Sequence, residues 1–185
     1  MAAPRTRRRG GQAVKVVVTG PFSAGKTTLI RTISEITVLS TERGITDSTR
    51  KRKAETTVAM DFGRITIDRD LVLYLFGTPG QKRFWYLWED LALGSLGAVV
   101  LADTRRLADC FPSLDYFEDL GLPFLVAVNC FDGRQLHQPD AVRRALDLDG
   151  NVPVVLCDAR ERTSARDVLI ALVESVLQRR TATRV

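Results

Sequence analysis

Gly20-Pro-Phe-Ser-Ala-Gly-Lys-Thr27 has the form G-x-x-x-x-G-K-T, the pattern of a loop that wraps a polyphosphate. Residues 14–19 before it are apolar enough to read as a strand. Residues 27–36 after it read as a helix, with Leu29, Ile30 and Ile33 at helical spacing and Ile36 one turn on. Gly20 permits the tight strand-to-helix turn, and Gly25 lets the backbone approach a ligand closely. The amides of Ser23, Ala24, Gly25, Lys26, Thr27 and Thr28 then point inward at the positive end of a helix dipole. Lys26 brings a mobile charge to the β- and γ-phosphates, and the Thr27 hydroxyl is placed for Mg²⁺.

The chain of 185 residues suffices for one domain with a substantial core. Apolar and charged shares of 45% and 26% are those of an ordinary globular protein, not of a disordered one. No apolar run nears the roughly 20 residues that span a bilayer. The basic N-terminus lacks the apolar centre of a signal peptide, so a cytoplasmic protein is expected. Cys110, Cys130 and Cys157 are too few and too scattered for a disulfide framework or a zinc site. The net charge of +5 belongs to the ends: without Arg5, Arg7, Arg8, Arg9, Arg179, Arg180 and Arg184 the rest is −2. We expect a disordered basic tail over 1–13, one domain over 14–180 and a short tail over 181–185.

Residues 37–56 turn polar and read as a long loop, of the kind that is functional or mobile in compact domains. Residues 57–67 read as a strand. Val58, Met60 and Phe62 alternate until the phase slips at Gly63 to Ile65 and Ile67, which predicts a bulge there. Asp68-Arg69-Asp70 makes a hairpin turn into an almost wholly apolar, and so central, strand over 71–76. Residues 83–93 look helical. Three strand–helix units follow, 97–102 with 113–120, 124–128 with 139–146, and 153–156 with 164–178. Strands alternating with helices define an α/β fold in three layers. Its sheet is mostly parallel and six-stranded, with one antiparallel edge strand from the hairpin and helices on both faces.

Four further stretches lie at strand ends, where such sheets place their ligands. They are Thr57, Gly77-Thr-Pro-Gly-Gln81, Asn129-Cys-Phe-Asp132 and Asp158-Ala-Arg160. With the phosphate loop, this order resembles the Ras-like small GTPases over about residues 14–178. Within them it is most similar to the bacterial MglA-type branch and the conservon GTPases, whose third motif also ends in Pro-Gly-Gln. The resemblance implies a P-loop G domain that binds GTP and GDP with Mg²⁺ and acts as a molecular switch, hydrolysing GTP slowly until a partner accelerates it. Thr57 matches the threonine that binds Mg²⁺ beside Thr27 and senses the γ-phosphate; a threonine that merely opens a strand is the plainer alternative. Gly80 matches the glycine whose amide meets the γ-phosphate. Gln81 matches the glutamine that orients the attacking water, and Lys26 serves the same reaction at the phosphates. Asn129 and Asp132 match the guanine readers. A carboxylate at Asp132 accepts both N1–H and N2–H of guanine, and adenine offers no such pair. Ala159 matches the alanine whose N–H meets guanine O6.

Two departures from the family pattern matter. Gly77 stands where an aspartate would hold Mg²⁺ through water, so Mg²⁺ binds more weakly or another carboxylate, Asp61 or Asp103, takes over. Cys130 replaces the lysine that covers the base and steadies the phosphate loop, which implies weaker binding and faster exchange. Cys130 and Cys157 both fall near the guanine pocket on this reading, or are simply small residues buried at strand ends. Among Arg50, Lys51, Arg52 and Lys53 an arginine finger could act in cis, with Arg83 another candidate; otherwise the run is solvated. Phe84, Trp85, Tyr86, Leu87 and Trp88 cannot all face inward from one helix. Exposed members would form a protein-binding surface, where MglA-type relatives take roadblock-type regulators; core packing is the alternative. The arginine ends allow weak attraction to the anionic inner face of a membrane or non-specific nucleic-acid contact, or are only solvated, which is the default. Ala2 and the absence of a C-terminal cysteine argue against lipid anchors, and no specific nucleic-acid binding is expected. A non-hydrolysing, nucleotide-dependent scaffold is the alternative to a GTPase. A small P-loop kinase would leave residues 129–132 unexplained.

Overall fold

The computed structural model describes residues 12–45, 56–68, 71–80, 86–133 and 137–182, with backbone alone at 40–45 and 56–59. Val16, Val17 and Val18 are all buried, although they alternate faces, because helices cover the sheet on both sides. They belong to β1 (Gln12–Thr19), which starts two residues before the expected point. β1 lies parallel between β4 (Leu71–Gly77) and β5 (Ser95–Ala102). β6 (Phe124–Asn129) and β7 (Val154–Cys157) continue in parallel beyond β5. On the other side β3 (Thr56–Asp68) runs antiparallel to β4, and β2 (Leu39–Ile45) antiparallel to β3. The sheet order is β2-β3-β4-β1-β5-β6-β7.

The six expected strands are all present. The seventh, β2, falls inside the stretch expected to be loop, so β2 rather than β3 forms the edge. Its polar composition gives little strand preference. The ladder from Leu39 opposite Phe62 to Ile45 opposite Thr56 is a tertiary contact that overrides it. Residues 46–55, with Arg50 and Arg52, lie outside the described residues, as do 1–11 and 183–185.

α1 (Lys26–Ile33) lays Leu29, Ile30 and Ile33 on one face of the sheet. Beside it α5 (Arg162–Ala182) contributes Val168, Leu169, Leu172 and Val176. α2 (Tyr86–Ala92), α3 (Phe111–Asp119) and α4 (Pro139–Ala145) cover the other face with Leu91, Leu114, Phe117 and Val142. α1 ends three residues short of expectation. Ser34 turns extended, and its hydroxyl accepts from the N–H of Arg64 at 3.2 Å and of Ile36 at 3.3 Å, drawing the chain onto β3.

The bulge expected at Gly63 is elsewhere. The register of β3 on β4 is unbroken from Asp61 opposite Gly77 to Thr66 opposite Val72, and shifts only between Thr66 and Asp68. Gly63 serves packing instead, because a β-carbon there would lie 2.7 Å from Ile30 Cγ2. The phase changes because the strand is apolar on both sides: Ile65 joins the α1 layer, while Phe62 packs on Tyr74 and Phe76.

The aromatic stretch before α2 divides. Trp88 is buried, its ring stacked on Phe117 and edge-on to Tyr116. Tyr86 is 58% exposed. Phe84 and Trp85 lie outside the described residues. Among the described residues no helix is long and apolar enough to cross a membrane.

Candidate functional site

Where β1 ends, residues 20–25 turn back into α1. Ser23 and Gly25 hold positive φ, 64° and 105°. Left-handed residues in a short loop turn successive amides toward one side, the geometry of an anion nest. A β-carbon on Gly25 would lie 2.5 Å from Asn129 Nδ2. Lys26 bends its ammonium back to the carbonyls of Gly20 at 2.9 Å and Pro21 at 2.7 Å. Burial lowers its pKa to about 8, against the opposing pull of Asp61. The ammonium lies against Gly80, where a β-carbon would be 2.9 Å from Nζ. Thr78 fixes the turn that presents Gly80: its N–H donates to the Val18 carbonyl and its hydroxyl to the Thr19 hydroxyl, both at 2.9 Å. Gln81 and Arg83 lie outside the described residues. A cleft of about 300 Å³ beside the loop is lined by Gly20, Pro21, Phe22, Gly80, Trp88 and Arg106, with Phe22 64% exposed at its rim.

Thr27 Oγ1 donates to Asp61 Oδ2 at 2.5 Å. Asp61 stands opposite Gly77 in the β3–β4 ladder. A β-carbon on Gly77 would lie 3.1 Å from Asp61 Cβ and 2.9 Å from Ile30 Cδ1. The carboxylate that position 77 lacks therefore arrives from the neighbouring strand and fills the space one at 77 would need. Asp103, the other candidate, is engaged elsewhere. Arg105 grips it at 2.7 Å and, chiefly by that hydrogen bond, holds its pKa below the usual carboxylate range. Thr57 lies on β3 opposite Gly44, four positions ahead of Asp61. A hydroxyl and a carboxylate in contact are hard oxygen donors, a set that suits Mg²⁺.

At the other end, β6 and β7 finish side by side. Asn129, buried, donates from Nδ2 to the Ala24 carbonyl at 3.0 Å and accepts at Oδ1 from the Ala159 N–H at 3.2 Å. One side chain thus ties the phosphate loop to both strand-end motifs. The Cys130 N–H donates to the Cys157 carbonyl at 2.6 Å, so the two cysteines are neighbours at this end. Cys157 is buried, which pushes its thiol up to about 11, whereas Cys130 is half-buried. Asp132 sits in the short turn Phe131–Gly133 with φ of 57°, its side chain 83% exposed. Arg160 Nη1 donates to its Oδ1 at 3.2 Å. Sequence reasoning assigns no role to Arg160, Arg105 or Phe131; the signal it leaves unused is a repeated Asp-x-Arg. Thr28 is exposed on the outer side of α1.

A loop between strand and helix, with motifs gathered at the C-terminal edge of a mostly parallel sheet, is the architecture of a P-loop G domain. The G domain of the T. maritima FeoB iron transporter matches with a TM-score of 0.62 at 18% identity, over 90% of this chain and 98% of that one. The Arl6 BBS3 small GTPase from Trypanosoma brucei, bound to GppNp, gives 0.65 at 19%, over 90% and 99%. An S. thermophilus NFeoB mutant bound to GDP gives 0.63 at 19%, over 88% and 62%. At these identities the likeness is one of fold. By sequence, residues 18–179 match the family described as conserved hypothetical ATP binding protein, and the chain belongs to that family. It is also similar to the uncharacterized protein MJ1339 of Methanocaldococcus jannaschii, 37% identical over 93 residues. That alignment takes in 50% of this chain and 53% of MJ1339, so the chain spans about half the length of this relative.

Proposed function

We propose that this chain is a guanine-nucleotide switch of the Ras-like kind, which binds GTP and GDP with Mg²⁺ and hydrolyses GTP slowly. The Asn129 bridge carries the reading. By joining Ala24 to Ala159 it makes the phosphate loop and the base-reading motifs parts of one site.

In this reading Lys26 exchanges the Gly20 and Pro21 carbonyls for phosphate oxygens, where its hydrogen bonds become charge-assisted. The amides of residues 23–28 and of Gly80 surround the same oxygens. The Thr27 and Thr57 hydroxyls and the Asp61 carboxylate would hold Mg²⁺, which when bound neutralises charge on the β- and γ-phosphates. Asp132 accepts N1–H and N2–H of guanine, the Ala159 amide shares its long 3.2 Å hydrogen bond to Asn129 with O6, and Gln81 orients the attacking water.

The family's name speaks of ATP. Against adenine, Asp132 would face the lone pair of N1. Two charged hydrogen bonds lost or turned repulsive favour guanine by about 10- to 100-fold or more. Titration of GTP, GDP and ATP with and without Mg²⁺ tests this, and a preference for ATP overturns the base assignment. The second reading, a non-hydrolysing scaffold, rested on Gly77 and Cys130. Asp61 beside Thr27 weighs against the first ground and Cys130 still supports the second; single-turnover hydrolysis of pre-bound GTP separates the two readings. Placement in the MglA-type and conservon branch, a roadblock-type regulator, and recruitment to a membrane by the arginine ends belong to the same proposal. Exposed Tyr86 and the cleft at Phe22 and Gly80 support a partner surface there.

A further inference from the structure

One three-residue device occurs at two strand ends. Asp103-Thr104-Arg105 follows β5 and Asp158-Ala159-Arg160 follows β7, with β6 between them in the sheet. The two are built alike. In each, the arginine backbone N–H donates to the aspartate Oδ1 at 3.0 Å. Nε donates to the same oxygen, at 2.9 Å in Arg105 and 3.0 Å in Arg160. Nη2 donates to Oδ2, at 2.7 Å and 2.9 Å. A two-handed grip of this kind fixes the plane of a guanidinium.

Both fixed guanidiniums meet the turn that follows β6. Arg105 lies over the Phe131 ring, 4.1 Å from its centroid. Arg160 has Nη1 left over and gives it to Asp132 Oδ1. The backbone of the turn is held by the Cys130 N–H on the Cys157 carbonyl and the Gly133 N–H on the Cys130 carbonyl, but the Asp132 side chain is exposed and Cys130 offers no long side chain to brace it. A carboxylate oxygen accepts two hydrogen bonds, so Arg160 leaves room on Asp132 for both N–H groups of a base.

We infer that the two Asp-x-Arg pairs are brackets that position Asp132 for the base, Arg160 by direct contact and Arg105 through Phe131. The inference rests on the guanine reading above. A carboxylate already aimed loses less freedom on binding than one that must be ordered. Each arginine is more than half exposed but its aspartate is largely buried, so losing the arginine also costs folding stability. What a purely structural loss would not change is recognition of the 2-amino group, and the effect is read there.

Release of a fluorescent GDP analogue from the full chain, with competition by GDP and IDP, tests this. IDP lacks the 2-amino group. R105A and R160A should each speed GDP release about 3- to 10-fold at a temperature where the variant remains folded, and together more than either alone. The preference for GDP over IDP should fall in each. R160K should not restore it, because an ammonium cannot hold Asp158 and Asp132 in one plane. Release at the wild-type rate, or equal loss of GDP and IDP affinity, would overturn the brackets while leaving the guanine reading intact. A wild-type chain that binds no GDP would overturn the guanine reading itself.

Discussion

Lys26 carries a charge that its burial disfavours. With its pKa lowered to about 8, the ammonium starts to lose its proton just above neutral pH. A bound polyphosphate raises the pKa again. GDP affinity should therefore hold steady up to about pH 8 and fall by up to about tenfold per pH unit above it. Titrations at a series of pH values check this, and K26R, charged throughout, should flatten the profile. The protein without ligand moves the other way. Between about 8 and 9 the unfolded chain holds the Lys26 proton that the folded chain gives up, so this group adds stability as pH rises; above about 9 the buried Cys110 and Cys157 thiols, pushed up to about 11, oppose it. Asp61 is the complementary case. D61N keeps an acceptor for the Thr27 hydroxyl and removes the charge, so the Mg²⁺ concentration needed to slow GDP release should rise about 10- to 100-fold. An unchanged requirement would remove Asp61 from the metal's surroundings. The turn from β1 into α1 was legible in the sequence because its signals are local: fixed residue types at fixed spacing. The Thr27–Asp61 contact was not, because it spans 34 positions and depends on strand register.

Elements divide along the same line. β1, β4, β5 and β6 announce themselves as apolar runs because helices cover both their faces. β2 does not, since its order comes from the edge of β3 rather than from its own residues. Gly63 misleads for a related reason: its lack of a side chain answers to Ile30 on α1, not to the course of its own strand. The end of α1 is set by Ser34, a residue with no strong preference until Arg64 is beside it. S34A should leave the Arg64 N–H without that acceptor and cost about 1 kcal/mol. A melting temperature lower by about 2–4 °C would register it; an unchanged one would mean that the chain direction, not the hydroxyl, ends the helix.

At the scale of the molecule, two helical layers on one sheet follow from alternating strand and helix signals. The site follows from the sheet, whose C-terminal edge collects residues more than a hundred positions apart, such as Ala24 and Asn129. What the chain order hides is how neighbouring strands share out chemical groups. Asp61 and Gly77 are sixteen positions apart in sequence and face to face in the ladder. A proteome filter that demands an acid directly ahead of Thr-Pro-Gly-Gln would discard this chain as defective. It would also discard any other whose acid stands on the adjacent antiparallel strand. A filter keyed to the partner of that leading glycine would keep them, and would separate chains that have truly lost the acid from those that carry it one strand away.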